Sequence, residues 1–443
     1  PPAFNSTVLR IVRGLLPWWL RSQVGITEIK TNNVEVLADL YSQFNQGKTR
    51  FLIAFRHPST NDPFCLANLL WNSVPQAAKK QGITLKYPVH SHFIYDRGIP
   101  IWAGSLVGWL FSQLGGISIQ RGKLDRAGLR SARDLMANGK LPMAASPEGG
   151  TNGHSEIISP LEPGISQIGF WCLEDLQTAG RSEQVVIVPL GIQYSYVDPP
   201  WTQLEQLLSK LEADVGIEPP KSQEKLSETE INDHKQLYLR LLRLGERLLS
   251  LMEKFYSEFY YQSLPSVPSS EDPNEEIKAR LEALLELALK VSEQHFKVKP
   301  KGSFIDRCRR LEQAGWNRIY RQDYNSLSPV EYGLGNWVAA QASLYMGHMR
   351  MVEQFSAVTG KYVLEKPTAE RFAETLLIVS KVVNYLKGGS RTKLPRLGKQ
   401  RIEMTVGQPI SLSERWEAYQ TSRRQAVADL TQDLQNALEN LIK

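Results

Sequence analysis

The chain has 443 residues, of which 42% are hydrophobic and 22% charged, and it carries a formal net charge of +6. This length suits one large elaborated domain or two to three ordinary ones, and the composition argues against wholesale disorder and against a polytopic membrane protein. Cys65, Cys172 and Cys308 lie far apart without a Cys-x-x-Cys pair. Their spacing argues against a disulfide framework and a structural zinc site, and a reducing compartment is expected.

The first 25 residues combine leucines and tryptophans with Arg10, Arg13 and Arg21. This composition is typical of a helix that lies in a lipid headgroup layer, and an ordinary amphipathic helix packed on the protein explains it equally well. The segment lacks the small-residue cleavage site of a secretion signal, so we expect no export.

From residue 51 to about residue 196, short apolar runs alternate with helical patterns, which is typical of an α/β domain. The predicted strands are 51–55, 87–93, 117–120, 141–146 and 185–192. An uncharged run at 98–120 has the length of a spanning helix, but its proline and glycines favour a helix against a bilayer, or a short helix and strand in the core.

The sequence pattern changes after residue 200, where Leu, Glu, Lys and Gln recur at helical spacing. A strand-like alternation returns at 401–412, before a final charged helix. We therefore predict an α/β fold whose core sheet is flanked by helices, with a large all-helical insertion before the last strand; two consecutive domains are the alternative. The predicted regions are an amphipathic membrane-interface region (1–50), the core (51–200), the insertion (201–400), and the returning strand and C-terminal helix (401–443).

The segment FRHPSTNDPF contains the best candidates for proton transfer, His57 and Asp62. A strand is predicted to end at Arg56, and Asp62-Pro63 is a good start for a helix, so the two side chains flank a loop at a strand end, where α/β sheets place their binding clefts. Asp62 would accept a hydrogen bond from one imidazole nitrogen, and the other would take a proton. Alternatively, Asp62 only caps the helix.

Three later segments, together with this one and in the same order, resemble the phospholipid and glycerol acyltransferase family, which comprises glycerol-3-phosphate and 1-acylglycerol-3-phosphate acyltransferases. GGISIQRG (115–122) is similar to the second family block, SPEGGT (146–151) to the third, and IVPLGIQY (187–194) to the fourth. Four ordered blocks are much more specific than one motif.

The resemblance implies a role for each matching residue. His57 would be the general base and Asp62 its orienting partner. Arg121 would bind an acceptor phosphate with its forked donors, while Glu148, Gly149, Gly150 and Thr151 would shape the acceptor pocket. The third block departs from the family pattern, because it has an extra glycine and because Asn152 follows Thr151 where the family has an arginine. The identity of the acceptor is therefore open.

The family resemblance predicts transfer of a fatty acyl group from acyl-CoA or acyl carrier protein to a hydroxyl of glycerol 3-phosphate or a lysophospholipid, without a cofactor or metal. Donors at the start of the helix after Asp62 are expected to stabilise the oxyanion. We expect a peripheral or monotopic protein on the cytoplasmic face of a membrane and no nucleic-acid partner. The alternative is a catalytically inert membrane adaptor with an acyltransferase-like core.

Overall fold

Strands and helices alternate along the first 198 residues in the computed structural model. The structure describes residues 2–100, 104–120, 125–218, 230–264, 271–321, 323, 326–355, 361–389 and 394–442. It divides into two compact units, which we call the α/β unit (1–198 with 399–443) and the helical unit (199–398).

The described strands form one sheet. In chain order they are β1 Ile26–Asn32, β2 Thr49–Phe55, β3 His92–Asp96, β4 Gly116–Ile119, β5 Met143–Ala145, β6 Gln184–Tyr196, β7 Gln400–Val406 and β8 Ile410–Ser411. Their spatial order is β1-β7-β6-β2-β5-β3-β4, with β8 beside β6. Pairing is parallel from β6 through β4, whereas β7 and β8 run antiparallel to β6. The sheet is therefore mostly parallel.

The helices are labelled in the same way. They are α1 Ser6–Trp19, α2 Val34–Asn45, α3 Asp62–Asn68, α4 Val74–Lys80, α5 Ser105–Gln113, α6 Arg126–Asn138, α7 Gly164–Thr178, α8 Trp201–Asp214, α9 Glu230–Tyr260, α10 Pro273–Phe296, α11 Phe304–Ile319, α12 Pro329–Phe355, α13 Lys361–Glu365, α14 Ala369–Leu386, α15 Trp416–Thr421 and α16 Arg423–Glu439. Within these described residues, no helix is long and apolar enough to cross a membrane.

The α/β unit has a core on each face of its sheet, because successive side chains of a strand point in opposite directions. Along β2, Phe51, Ile53 and Phe55 pack with α1, α2 and α3. Leu52 and Ala54 face the other way and pack with α6, α7 and α16. All five side chains are almost fully buried. The run FLIAF reads as continuously apolar for this reason: β2 is covered on both faces.

The helical unit is held by buried apolar side chains and by buried ion pairs. Arg307 on α11 is 6% exposed and bonds Glu293 and Glu286 of α10 at 2.6–2.9 Å. Arg240 on α9 bonds the buried Glu212 of α8 at 2.7 Å. Each of these charges therefore has an opposite charge within hydrogen-bonding distance, which offsets the cost of removing it from water.

The predicted fold class is confirmed: a mostly parallel sheet flanked by helices is followed by a helical region before the strand that returns. Two details differ. The predicted strand at 87–93 begins only at His92, and Pro88, which has no N–H to donate to a neighbouring strand, lies in the part that does not pair. Strand β1 was not predicted. It is half-exposed and largely polar, so its apolar signal is weak.

Candidate active site

The candidate site lies in the loop after β2, at the centre of the sheet. β2 is paired with β5 on one side and with β6 on the other. The backbone N–H of Arg56 continues the ladder by donating to Leu190 of β6 at 3.0 Å. The chain then turns, and α3 begins at Asp62. The site therefore starts from a fixed point at the carboxyl end of a central strand, where open α/β sheets bind their ligands.

The loop brings His57 and Asp62 into direct contact. The Nδ1 atom of His57 lies 2.9 Å from Oδ2 of Asp62. Because an ionised carboxylate only accepts hydrogen bonds, an ionised Asp62 places the proton of this pair on Nδ1. The side chain of His57 is 19% exposed, whereas that of Asp62 is fully buried. Among the residues that the structure describes, no partner is bonded to Nε2 of His57, which leaves that nitrogen available to a ligand.

Asp62 receives two further hydrogen bonds. The backbone N–H of Ser59 donates to Oδ2 at 2.8 Å, and the hydroxyl of Tyr194 donates to Oδ1 at 2.5 Å. Burial raises the pKa of the Asp62 carboxyl, and the hydrogen bonds from His57, Tyr194 and Ser59 oppose that rise. Sequence reasoning missed Tyr194, although it is the last residue of the segment that resembles the fourth block.

Glu148 binds the backbone of the same loop. Its Oε1 accepts from the N–H of His57 at 2.7 Å, and its Oε2 accepts from the N–H of Ser159 at 3.0 Å and from the side-chain amide of Asn152 at 3.2 Å. Glu148 is 4% exposed, and burial raises the pKa of its carboxyl. This carboxylate therefore fixes the position of His57 from the backbone side.

Arg56 is completely buried beside the pair. Its guanidinium donates to the backbone oxygens of His154 at 2.7 Å and Ile192 at 3.4 Å, and also to those of Ser155 and Ile157. These carbonyls surround the guanidinium and seal it from solvent, so it is not available to an acceptor phosphate. Arg56 ties the loop at 154–157 to the strand end.

The other predicted substrate residues are placed as follows. Gly149 adopts a left-handed φ of +69°, a conformation that glycine takes without strain. Gly150 is half-buried and Thr151 is exposed in the loop that follows Glu148. Arg121 lies outside the described residues. Of the predicted set, the structure joins His57, Asp62 and Glu148 by direct hydrogen bonds.

The start of α3 does not offer the oxyanion donors that we expected. The N–H of Asp62 bonds the oxygen of Ser59, those of Phe64 and Cys65 bond the oxygen of Asn61, and Pro63 has no N–H. These donors are used within the turn itself, so that expectation is wrong for these residues.

Comparison with known proteins identifies the family of the domain that contains His57 and Asp62. Residues 28–193 match the family model described as Acyltransferase. The match begins in β1 and ends on β6, so it includes the loop of His57 and Asp62. The chain therefore carries a domain of the acyltransferase family, the glycerolipid acyltransferase domain, and the protein is an acyl-transferring enzyme. A search of curated proteins and of solved structures gave no match.

Proposed function

We propose that this acyltransferase moves a fatty acyl group from acyl-CoA or acyl carrier protein to a hydroxyl of glycerol 3-phosphate or of a lysophospholipid such as lysophosphatidate, with His57 as the general base. The observation that carries the proposal is the state of the His57 ring. Its Nδ1 is held by the buried carboxylate of Asp62, while no described partner binds Nε2. A neutral imidazole in this tautomer presents a basic nitrogen to the acceptor hydroxyl.

In the proposed reaction, Nε2 of His57 removes the hydroxyl proton as the acceptor oxygen attacks the thioester carbonyl. The tetrahedral intermediate then breaks its C–S bond, and the departing sulfur takes the proton back from Nε2. The products are the ester and a free thiol, and the enzyme returns to its starting state. Asp62 stabilises the imidazolium that forms between the two steps. Arg121 is the proposed contact to the acceptor phosphate.

We also propose peripheral attachment to the cytoplasmic face of a membrane through residues 1–50. The support is a surface that we call the N-terminal patch, formed by the exposed side chains of Ile11, Leu15 and Trp18 on α1 and of Leu106 and Trp109 on α5. The N–H groups of Ala3 and Asn5 bond the end of α5 at 3.0 and 2.8 Å, so the two helices adjoin.

The charges around the N-terminal patch favour an anionic lipid surface. Arg10, Arg13 and Arg21 are exposed, and no acidic residue occurs before Glu28. Tryptophan and leucine beside arginine are typical of helices that lie in the headgroup layer, and each cation near a charged bilayer contributes on the order of 1 kcal/mol. On its buried side, α1 contacts the helix that carries Asp62, since the rings of Trp19 and Phe64 lie 4.4 Å apart.

The experiment for the reaction uses purified protein with radiolabelled acyl-CoA or acyl carrier protein and a panel of acceptor hydroxyls. Transfer to glycerol 3-phosphate or lysophosphatidate by the wild type, and its loss in His57→Ala, is the expected result. His90→Ala is the matched control, because His90 is buried and bonds Leu114 and Trp71 rather than the site. Equal transfer by wild type and His57→Ala would overturn the assignment of the base.

The experiment for attachment is flotation with vesicles that contain anionic lipid at low salt. Trp18→Ser is expected to reduce the bound fraction severalfold, because it removes an exposed indole from the N-terminal patch. Trp337→Ser is the control, since Trp337 is 75% exposed in the helical unit, compared with 62% for Trp18. Equal losses in both variants, or no binding by the wild type, would contradict the proposal.

A further inference from the structure

The carboxylate of Asp62 is bonded at both oxygens. Oδ2 faces His57 at 2.9 Å and the N–H of Ser59 at 2.8 Å, while Oδ1 receives the hydroxyl of Tyr194 at 2.5 Å. A carboxylate held at only one oxygen is free to rotate about its bond to Cβ. With a donor on Oδ1, Oδ2 stays directed at the imidazole.

Tyr194 is itself fixed by the sheet. It lies on β6, beyond the part of that strand that pairs with β2, and it pairs with Ile402 of β7. Its backbone N–H points to the hydroxyl oxygen of Ser155 at 3.4 Å. The side chain packs in the same core as Leu190 and Ile192, and it is 9% exposed. The hydroxyl therefore comes from a rigid strand, 132 residues away from Asp62 in sequence.

The direction of the Tyr194 hydrogen bond follows from the environment. Burial raises the pKa of the Tyr194 phenol well above its ordinary value, so the phenol keeps its proton and donates. The thiol of Cys65 lies 3.7 Å from the same hydroxyl, and burial raises the pKa of that thiol too. Asp62 is therefore the acceptor in this contact.

We infer that Tyr194 is a positioning residue of the acyl-transfer site, whose hydroxyl holds Asp62 so that the Asp62 carboxylate orients His57 with Nε2 toward the acceptor. This inference rests on the proposed role of His57 as the base. Tyr194 acts through Asp62 and touches neither substrate nor the reacting atoms.

Removal of the hydroxyl has a predictable electrostatic effect. A donor to Asp62 withdraws negative charge from the carboxylate, so its loss makes the coupled pair of His57 and Asp62 bind a proton more tightly. Among the described residues, the other charged or titratable groups beside the pair are Arg56, Glu148 and the Cys65 thiol, and Tyr194→Phe changes none of them. The acid limb of the pH–rate profile should therefore move to higher pH.

The test compares Tyr194→Phe with the wild type over a range of pH. We expect kcat to fall about tenfold with KM changed by less than about twofold, and the acid limb of kcat/KM to rise by about half to one pH unit, as for a lost hydrogen bond to a charged group. Tyr41→Phe is the matched control. Tyr41 is 2% exposed in the same core and donates to a backbone oxygen, that of His90, at 3.0 Å. A limb that moves equally in both variants, or in neither, would overturn the inference.

A second variant keeps the test decisive if Tyr194→Phe fails to fold. The double variant Asp62→Asn with Tyr194→Phe removes the buried charge together with its donor, which costs less than an unpaired carboxylate. Its kcat should match that of Asp62→Asn alone within about twofold. A further tenfold fall would mean that Tyr194 acts other than through Asp62, and the inference would be wrong.

Failure of the inference is distinguishable from failure of the proposed function by a readout without substrate. Nitrogen NMR of protein labelled at histidine, with His57→Ala to assign the signal, reports the tautomer and the hydrogen bonding of the His57 ring. A His57 signal that changes in Tyr194→Phe, together with no acyl transfer by the wild type, would support the positioning contact and reject the base. Normal transfer with an unchanged His57 signal would reject the positioning contact alone.

Discussion

The α/β unit and the helical unit both bury polar side chains, and they satisfy them differently. In the helical unit, His348 is bonded at both ring nitrogens, at 2.7 Å by Tyr256 and at 2.8 Å by Tyr260. In the α/β unit, His57 is bonded at Nδ1, and within the described residues its Nε2 has no partner. A buried polar cluster therefore does not by itself mark a reactive site. The distinguishing feature of His57 is a ring nitrogen without a described hydrogen-bond partner, in a ring that neighbouring groups hold in place.

The largest expected effect separates these two histidines. His57→Ala should reduce acyl transfer per folded molecule about 10²- to 10⁴-fold, the usual contribution of general base catalysis. It should also lower the free energy of unfolding, because the buried carboxylate of Asp62 loses a donor. His348→Ala should leave transfer per folded molecule unchanged. It should lower the free energy of unfolding by about 1–3 kcal/mol, since two tyrosine hydroxyls lose their partner. Loss of transfer in folded His348→Ala would break the comparison.

The next effect compares two buried arginines. Arg307→Met leaves Glu293 buried without its partner, which should cost about 3–5 kcal/mol of unfolding free energy in urea titrations. Arg56→Met should destabilise the protein and also reduce kcat, because the loop at 154–157 loses its tie to the strand end. Equal transfer per folded molecule by Arg56→Met and wild type would show that the tie does not affect the site.

A smaller effect concerns Glu148, whose pKa is raised by burial. A carboxyl with a folded-state pKa above its unfolded value of about 4.5 favours folding fully below that value, and this contribution is lost as the pH rises through the folded-state pKa. The stability of the wild type relative to Glu148→Gln should therefore improve as the pH falls through that window. Urea midpoints at a series of pH values measure it, and a difference independent of pH would contradict the prediction.

Above that window, the same variant should be less stable than the wild type by about 1–3 kcal/mol. The reason is that the oxygens of Glu148 accept from three donors, and a glutamine amide presents its own N–H groups to one or more of them. Acyl transfer should fall as well, because the backbone N–H of His57 loses its hydrogen-bond acceptor or because that acceptor moves.

The smallest effect belongs to an exposed ion pair of the α/β unit. Arg415 contacts Asp433 at 2.6 Å, with both side chains at least a third exposed. Arg415→Ala should change the free energy of unfolding by no more than about 0.5 kcal/mol, because solvent screens such pairs. A loss comparable to that of Arg307→Met would show that burial does not decide the contribution of these arginines.

The fold class could be predicted from the sequence because the patterns that indicate it are local. The apolar run at 51–55 and the helical spacing after residue 200 each depend on neighbours a few positions away. Strand β1 was missed because its half-exposed and largely polar sequence gives only a weak apolar pattern.

The site was predictable only in part. The pairing of His57 with Asp62 follows from five residues of one loop, and the hydrogen bond between them agrees with that geometry; their catalytic roles stay predictions. Tyr194 reaches Asp62 only because β6 lies beside β2, which no local pattern reveals. The burial of Arg56 could not be predicted either, since its carbonyl partners come from a distant loop and from β6.

The connection from β6 to β7 shows where the sheet accepts an inserted segment. Tyr196 pairs with Gln400, and the N–H of Val197 donates to Lys399 at 2.9 Å. Two hundred residues thus leave and re-enter the sheet at neighbouring backbone positions, as the two ends of a hairpin turn do. Because the entropy of closing a loop grows only with the logarithm of its length, the sheet tolerates at this point a segment of almost any size. At this junction, one inserted segment can be replaced by another without changes to β6 or β7.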